Sequence, residues 1–264
     1  MLELYHWEPN VFSLKALIAL NEKGLDYKSH YVDWTNFEQF GPDGPKLNLE
    51  AQHNPEAEGP ILVHDEAVIS ESFFMLEYIE DAFPEGTPLK LKTPHGDWQV
   101  QVWGRFNGER AAPAVSTLGC HKYLVPVLKE KRINSADQVL DKMQTQERRV
   151  AWAEAIEDSY SSDVLEDSRR RAGLLVERIE KALDGGRSWL VEDTYTLADI
   201  DTFALANSLP KLTPELCNAV VSPRTVEWLE RMRARPAVKK ALATSRTGKP
   251  EETFAPGPEH ARWG

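Results

Sequence analysis

Cysteine is scarce in this chain, and its scarcity limits the classes of protein that the sequence can encode. The two cysteines, Cys120 and Cys217, form no CxxC motif and suggest no disulfide framework, so we expect a reducing, cytoplasmic location. The seven histidines show no metal-ligand spacing, and we expect no metal site. The sequence therefore points away from disulfide-stabilised and metal-binding proteins.

Long apolar runs and an excess of positive charge are also lacking. No stretch approaches the roughly 20 apolar residues that a membrane span needs, and the opening MLELYHWEPN lacks the apolar core of a signal peptide. A net charge of −11 disfavours nonspecific binding to nucleic acid or to an anionic membrane. The composition, 41% hydrophobic and 28% charged, is typical of a soluble protein with one large or two small domains.

Residues 1–84 have the pattern of an α/β domain. Residues 2–5 alternate apolar and polar side chains and predict a strand. Ser13 then caps a predicted helix that ends at Lys23, and residues 25–33 predict a second strand. Strand, helix and strand in this order imply a parallel pair joined by a right-handed crossover.

A hairpin and another helix follow. Residues 61–63 and Ala67–Ile69 predict two short strands, and a helix begins near Glu71. Pro60 stands at the start of the first strand, where a missing backbone donor is tolerated. A cis bond there would leave the neighbouring backbone groups facing outward. With the crossover, this is the thioredoxin-like arrangement, here without CxxC.

Residues 94–246 show helical periodicity almost throughout, so we expect an all-helical second domain. Trp98 and Trp103 stand at helical spacing, and positions in the core are favoured for both. Thr196 and Asp199 have the spacing of a capping box, which gives Asp199 a structural role despite its charge.

A polar segment rich in glycine and proline follows the helical domain. It covers residues 247–264, and we expect a loosely ordered tail. Phe254 and Trp263 are the large apolar side chains that would anchor such a tail to the rest of the protein.

These features resemble the glutathione transferase superfamily over nearly the whole chain. Residues 54–72 combine Asn-Pro, a proline-led strand, a hairpin and Glu-Ser at a helix start, which is similar to its glutathione site. Residues 195–200 are similar to its C-terminal capping motif. Residues 13–15 and 22–25 resemble the bacterial glutathione-dependent β-etherases that cleave lignin-derived aryl ethers. The resemblance implies an α/β thioredoxin-like N-terminal domain followed by an all-α C-terminal domain.

Ser13 stands where a loop enters the first helix. By the resemblance it lies beside the glutathione sulfur, and a hydroxyl there can donate to a thiolate whose pKa the helix N-terminus lowers. Serine at such a position is equally typical of a plain N-cap, and both roles can hold at once. The relatives often have Asn before this serine, whereas Phe12 removes that possible second donor.

The resemblance also implies where the rest of glutathione binds. Unpaired N–H groups at the start of the helix near Glu71 suit a carboxylate, the Ser72 hydroxyl adds a donor, and the Glu71 carboxylate attracts an ammonium group. The Gly59 backbone would pair with the cysteinyl part. Lys46 and His53 are candidates for the glycyl carboxylate, although each is also typical of a solvated surface. The expected glutathione contacts are Lys46, His53, Gly59, Pro60, Glu71 and Ser72.

Residues 54–60 depart from the pattern of the relatives. The relatives have Asn-Pro-x-Gly-x-Val-Pro, whereas the string here is NPEAEGP. Ala57 replaces glycine, Gly59 replaces valine, and Glu58 adds an anion near an anionic ligand. These changes are consistent with weaker glutathione binding or with a subunit specialised away from catalysis.

The second-substrate pocket is expected between the loop after the first strand and the first helix of the second domain. Aromatic and polar side chains from both could flank an aryl group. Aromatic residues at helical spacing are also typical of a core, and for Trp103 that interpretation is favoured. The candidates are Trp7, Glu8, Phe12, Trp103, Phe106, Asn107 and Tyr123.

The resemblance implies cleavage of β-aryl ether bonds by glutathione, with an aromatic aryl ether as second substrate. The thiolate would attack the β-carbon, a phenol would leave, and a glutathione thioether would form. A general glutathione transferase acting on other electrophiles remains an alternative. A non-catalytic subunit that supports a paralogue in a heterodimer is another.

Assembly is expected to involve the helix that begins near Glu71. Residues 73–76 are four large apolar residues in succession, and they cannot all face one side of a helix. Some must pack away from the chain's own sheet or beneath its second domain. Since the relatives pair through this region, we expect a homodimer first and a heterodimer with a paralogue second.

Overall fold

The computed structural model describes residues 1–40, 59–133, 140, 141, 143 and 145–256. The N-terminal elements are β1 (Leu2–His6), α1 (Ser13–Glu22), β2 (Lys28–Tyr31), β3 (Ile61–His64), β4 (Ala67–Ile69) and α2 (Ser72–Ala82). The strands form one sheet in the order β2-β1-β3-β4, with β1 parallel to β2 and antiparallel to β3. The predicted parallel pair and the predicted hairpin are both confirmed, and the Gly59–Pro60 bond is cis.

Alternating side chains give the two faces of the sheet different partners. Leu4 and Leu62 have no exposed surface and join the main core, where α1 and α2 pack. Tyr5 and Ile61, each one residue away from them along its strand, point to the other face and form a smaller cluster. This alternation fixes the register of β1 against β3, because a one-residue slip would exchange the faces.

The second part of the chain is helical. Its elements are α3 (Pro94–Phe106), α4 (Ala112–Gly119), α5 (Val125–Glu130), α6 (Gln146–Glu157), α7 (Ser162–Ala182), α8 (Leu197–Ala206), α9 (Leu209–Leu212), α10 (Pro223–Ala234) and α11 (Pro236–Leu242). Every residue of α8 is buried, and the predicted capping box between Thr196 and Asp199 is confirmed. No helix among the described residues is both long and apolar enough to cross a membrane.

Helices α3, α4 and α5 form one continuous stretch that is interrupted by two π-helical turns. The turns are Asn107–Ala111 and Cys120–Leu124, and a proline follows each of them, at Pro113 and Pro126. Proline has no N–H to donate, so the helical hydrogen bonds are already disturbed at these points. At one end of the stretch Gly104 of α3 lies against Phe73 of α2, and at the other Lys131, just after α5, donates to Thr35 Oγ1 and Asn36 Oδ1 at 2.6 Å each.

The two tryptophans of α3 have different surroundings. Trp103 is 5% exposed, as predicted, but Trp98 is 57% exposed, so its predicted core position is wrong. Gly96, Val100 and Trp103 follow one another at steps of four and three residues and define the buried face of α3. Trp98 falls on the opposite face, where it contacts His95.

The segment after α11 is packed against the protein, at least as far as Pro256. Residues 245–256 form what we call the C-terminal strap. Phe254 is 2% exposed, and its ring stacks on that of Tyr123 with centroids 6.0 Å apart. Ala255 is buried in a cluster with Trp7. The expectation of a loose tail is therefore wrong for these residues, and Phe254 is an anchor as predicted; Trp263 lies outside the described residues.

Candidate functional site

Glu71 has an uncommon backbone conformation immediately before α2. Its φ of 62° and ψ of 101° lie where residues other than glycine rarely occur. Such a conformation costs about 1–3 kcal/mol and persists where the surroundings enforce it, often at ligand sites. It turns the chain from β4 into α2 and makes Ser72 the first helical residue. The Glu71 side chain makes no cap hydrogen bond, so the N–H groups of the first turn suit a ligand carboxylate.

A cavity of about 490 Å³ opens beside this helix start, and we call it the α2 cavity. Its wall contains carboxylates and cations together, which suits a zwitterionic group such as the γ-glutamyl end of glutathione. It is lined by Phe12, Lys15, Glu71, Ser72, Phe73, Phe74, Gln101, Gly104, Arg105, Gly108, Glu109, Ala112, Pro113 and Asp201.

Asn10 caps α1. Its Oδ1 accepts hydrogen bonds from the backbone N–H groups of Phe12 at 2.9 Å and Ser13 at 3.0 Å. Its backbone oxygen accepts from the N–H of Leu14 at 3.0 Å. The prediction that the Ser13 side chain caps this helix is therefore wrong. Because Asn10 takes these N–H groups, α1 offers a ligand the field of its N-terminus but not these three donors.

The Ser13 hydroxyl is not used by this capping arrangement. Ser13 has no exposed surface, and within the described part of the chain its Oγ has no hydrogen-bond partner. A buried hydroxyl without a partner costs free energy unless a ligand or a water satisfies it. An anion such as a thiolate would meet this requirement, since a hydroxyl donates readily to a thiolate, although Ser13 is not among the residues that line the α2 cavity.

A buried ion pair joins α1 to α8 beneath the α2 cavity. The Lys15 ammonium lies 2.7 Å from Asp201 Oδ1, and the two side chains are 4% and 0% exposed. Asn107 Nδ2 donates to Asp201 Oδ2 at 2.6 Å and to Thr202 Oγ1 at 2.9 Å. The pair therefore ties the helix that carries Ser13 to the core of the helical domain.

Glu8 faces the interior and binds the C-terminal strap. Its Oε1 accepts from Tyr31 Oη at 2.7 Å and from the backbone N–H groups of Arg246 at 2.8 Å and Thr247 at 3.2 Å. Its Oε2 accepts from the hydroxyls of Ser245 at 2.5 Å and Thr247 at 3.2 Å. Burial, and then the bond to Glu8, raise the pKa of the Tyr31 hydroxyl. Glu8 was expected to face a second substrate; it instead fixes the strap.

A second cavity, of about 420 Å³, lies between the strap and the domain boundary, and we call it the strap cavity. Two of the predicted substrate-pocket residues, Trp7 and Tyr123, line it. Phe254 and Tyr31 add two further aromatic side chains. Its lining comprises Trp7, Tyr31, Asp33, Thr35, Tyr123, Leu124, Val127, Lys131, Thr247, Lys249, Glu252, Thr253 and Phe254.

Besides Glu8, three of the predicted pocket residues line neither cavity. The Arg178 guanidinium lies 4.3 Å from the centroid of Trp103 and 4.4 Å from that of Phe106. Asn107 has no exposed surface and binds α8. These side chains hold helices together. Among the residues predicted for the second-substrate pocket, Phe12 is the one that lines the α2 cavity.

The predicted glutathione contacts before β3 are only partly described. Lys46 and His53 lie outside the described residues, as do Ala57 and Glu58. At Gly59 an added Cβ would stand 3.0 Å from the Trp34 ring and 3.3 Å from a backbone oxygen. A side chain at the position where the relatives carry valine would therefore crowd the ring of Trp34.

Sequence reasoning missed Asn10, Tyr31 and Arg178. Asn10 precedes Ser13 by three residues, a spacing that suits side-chain capping and that could have revealed it. The roles of Tyr31 and Arg178 depend on contacts across the fold, which no local pattern signals. Over the described ranges, no group of three or more His, Cys, Asp or Glu side chains could hold a metal ion.

Family models and known relatives agree with this architecture. "Glutathione S-transferase, N-terminal domain" matches residues 11–82, and "Glutathione S-transferase, C-terminal domain" matches residues 164–245. The chain belongs to the glutathione transferase family, which confirms the predicted fold class. It is 32% identical over 250 residues to Protein LigF of Sphingobium sp. (strain NBRC 103272 / SYK-6), covering 93% of this chain and 94% of that protein.

Solved structures give the same result. The crystal structure of β-etherase LigF from Sphingobium sp. strain SYK-6 is 31% identical, with a TM-score of 0.83 and coverage of 92% of this chain and 99% of that one. Glutathione transferase F7 from Populus trichocarpa has a TM-score of 0.69 at 23% identity, covering 96% and 100% of the two chains. The second likeness concerns the fold alone.

Proposed function

We propose that this protein is a glutathione-dependent β-etherase that cleaves aryl ether bonds in lignin-derived aromatic compounds. The observation that carries the proposal is the likeness to β-etherase LigF, at 31% identity over 92% of this chain. The buried hydroxyl of Ser13 at the start of α1 supports it, because a thiolate nucleophile needs a donor there. We further propose a cytoplasmic location, where glutathione is kept largely reduced.

The proposed reaction is a displacement at carbon. Glutathione loses its thiol proton to solvent, and the thiolate forms a bond to the carbon that bears the aryloxy group, next to a ketone. The carbon–oxygen bond breaks, and its electron pair leaves with a phenolate that then takes up a proton. Ser13 Oγ donates to the sulfur while it is charged and so favours the thiolate form. The protein otherwise orients two ligands.

Glutathione binding is proposed to span the starts of two helices. The γ-glutamyl carboxylate lies at the start of α2 with the Ser72 hydroxyl, and its ammonium group lies against Glu71. The Gly59 backbone and Pro60 line the cysteinyl part. Lys46 and His53 remain candidates for the glycyl carboxylate. The strap cavity, with its aromatic lining, is the proposed site of the aryl group.

Substitution of Ser72 by alanine tests the glutathione site. Ser72→Ala should raise the glutathione KM more than it changes the melting temperature, because the hydroxyl is proposed to bind ligand and not the fold. Losing a hydrogen bond to a charged group costs about 1.5–3 kcal/mol, or roughly a tenfold to hundredfold weaker interaction. An unchanged KM would reject the assignment of Ser72.

Release of phenol tests the reaction. The protein is incubated with glutathione and each enantiomer of an α-keto β-aryl ether, and the phenol and the glutathione thioether are measured. Equal amounts of both products support the proposal, and Ser13→Ala should slow their formation. No release from either enantiomer by the folded protein rejects it.

Two further measurements address the alternatives. Conversion of chlorodinitrobenzene without phenol release would indicate a general glutathione transferase. Failure to bind immobilised glutathione, with activity regained when a paralogue is added, would indicate a supporting subunit.

We also propose that two chains pair next to the α2 cavity, as a homodimer first and a heterodimer with a paralogue second. Of the four apolar residues at the start of α2, Met75 and Leu76 are fully buried, and Phe73 is packed against Gly104. Phe74 is 61% exposed beside the cavity. An exposed phenylalanine at this position is suited to burial against another chain.

Substitution at Phe74 tests the dimer. Phe74→Glu should convert a two-chain particle to monomers in light scattering at micromolar concentration. Val150→Glu is the matched control, since Val150 is a 50% exposed apolar residue on α6, away from the α2 cavity. A wild-type protein that is monomeric at this concentration would contradict the proposal.

A further inference from the structure

Asn10 has a polar group that its capping role leaves unused. Its Oδ1 accepts from the N–H groups of Phe12 and Ser13. If the amide were flipped, its NH₂ group would face these two N–H donors and no hydrogen bond could form. The cap therefore fixes which atom is Nδ2 and turns it away from these N–H groups. Asn10 is 2% exposed, and among the residues described here its Nδ2 has no hydrogen-bond partner.

Two buried donors thus stand at one helix start. Within the described ranges, neither Ser13 Oγ nor Asn10 Nδ2 has an acceptor, and Asn10 Oδ1 is only 3.0 Å from Ser13 N. Unsatisfied buried donors are costly, and two of them beside the positive end of α1 suit a single anion. A thiolate is such an anion, and its site at Ser13 is the one already proposed.

We propose that Asn10 Nδ2 donates a hydrogen bond to the glutathione thiolate together with Ser13 Oγ, which makes Asn10 a second catalytic residue. This inference depends on the proposed function, because it requires glutathione at this helix start. The relatives' asparagine before the catalytic serine is replaced here by Phe12. In this chain the second donor comes instead from two residues earlier, on the side chain that also caps α1.

The chemical role of the two donors is to favour the charged form of the sulfur. A thiol is a weak acceptor and a thiolate a stronger one, so each donor lowers the pKa of the bound thiol. A hydrogen bond to a charged group corresponds to about one to two pKa units. The donors are released when the sulfur becomes a neutral thioether, which is a weak acceptor again.

A pair of substitutions separates donation from capping. Asn10→Asp keeps acceptor oxygens for the cap but has no donor and places a charge beside the sulfur. Asn10→Ser keeps both an acceptor and a donor. The pKa of enzyme-bound glutathione is measured by titrating the ultraviolet absorbance of the thiolate, beside the melting temperature. We expect Asn10→Asp to raise this pKa by one unit or more, with a lower melting temperature because the new charge is buried, and Asn10→Ser to stay near wild type in both.

Ser13→Ala provides an independent measurement that leaves Asn10 intact. With Asn10 still donating, the pKa of the bound thiol should remain below that of free glutathione. A return to the free value, or an unchanged pKa in folded Asn10→Asp, would overturn the inference. If Asn10→Asp does not fold, the Ser13→Ala titration decides. Failure of the wild-type protein to bind glutathione would instead refute the proposed function.

Discussion

Asp199 is a buried carboxylate that holds three donors at the start of α8. Its Oδ1 accepts from Leu190 N at 3.2 Å and Trp228 Nε1 at 3.0 Å, and its Oδ2 accepts from Thr196 N at 3.0 Å. We expect Asp199→Ala to lower the melting temperature strongly, since each buried donor left without an acceptor costs about 1–3 kcal/mol. The kcat of the folded fraction should change little. Unchanged melting with lost activity would contradict this structural role.

The same carboxylate gives the stability a pH dependence. Burial raises the pKa of Asp199 from 3.8 to about 7, although the bonds from Thr196, Leu190 and Trp228 oppose this rise. Between these two values the folded state keeps a proton that the unfolded state has lost, so stability falls as pH increases. The contribution is fully present below the unfolded pKa and is lost as pH rises through about 7.

Comparison with Asp199→Asn isolates this contribution. Burial lowers the pKa of His6, which acts in the opposite direction over part of the same range, but both proteins contain His6. The free energy of unfolding, measured in urea at pH 5, 6 and 7, should fall more steeply for the wild type than for Asp199→Asn. The limit for one group is about 1.4 kcal/mol per pH unit. Parallel curves would show that Asp199 does not titrate on its own in this range.

A helix cap could be predicted from the sequence where the spacing of the capping residues left one choice. Thr196 and Asp199 satisfy each other within one turn, so their types and spacing were sufficient. At α1 two residues of good capping type, Asn10 and Ser13, stand three apart, and the path of the loop between them selects Asn10. The orientation of Glu8 was not predictable, because its partners in the strap lie about 240 residues away.

Helix α1 is positioned by the ion pair between Lys15 and Asp201. Both charges are buried, so removing one partner leaves the other without compensation. We expect Lys15→Met to cost about 3–5 kcal/mol of stability, measured by urea unfolding. The shift should be accompanied by slower turnover, since α1 also carries Ser13.

A double variant tests whether the cost comes from the uncompensated charge. Lys15→Met combined with Asp201→Asn removes both charges and keeps an oxygen for Asn107 Nδ2. It should be more stable than Lys15→Met alone. Two costs that simply add would show that the side chains do not interact.

At the scale of elements, the periodic pattern predicted where helices and strands form, but it did not predict which surfaces they pack against. The crossover around α1 and the hairpin of β3 and β4 followed from alternation and turn residues. Trp98 was misassigned because aromatic spacing alone does not choose between opposite faces of α3. The strap was misassigned because its polar composition hides the few anchors, chiefly Phe254, that hold it.

At the scale of the whole molecule, the strap connects the two domains, because it binds Glu8 in the first and stacks on Tyr123 in the second. A chain that ends after Arg246 loses the Thr247 donors to Glu8 and the buried ring of Phe254. Removing a buried phenylalanine side chain alone typically costs about 3–5 kcal/mol. We expect a lower melting temperature and, because the strap lines the strap cavity, a larger rise in the aryl ether KM than in the glutathione KM.

A chain that ends after Pro256 is the matched control, since it retains every strap contact described above. If both truncations raise the two KM values equally, the strap does not shape the aryl site. Glu8→Gln provides a point variant for the same comparison. In the wild type the strap donors are divided between the two carboxylate oxygens of Glu8, whereas the glutamine amide would offer them only one oxygen.

The bond between Glu8 and the strap also sets an order of events during protein synthesis. Domains generally fold from the N-terminus as the ribosome releases them, and Glu8 emerges among the first residues. Ser245 follows it by 237 positions, so until the helical domain has been translated the Glu8 carboxylate has Tyr31 as a partner but lacks the strap donors. A ribosome stalled before that point would display a thioredoxin-like domain that still lacks the strap, which forms one wall of the strap cavity.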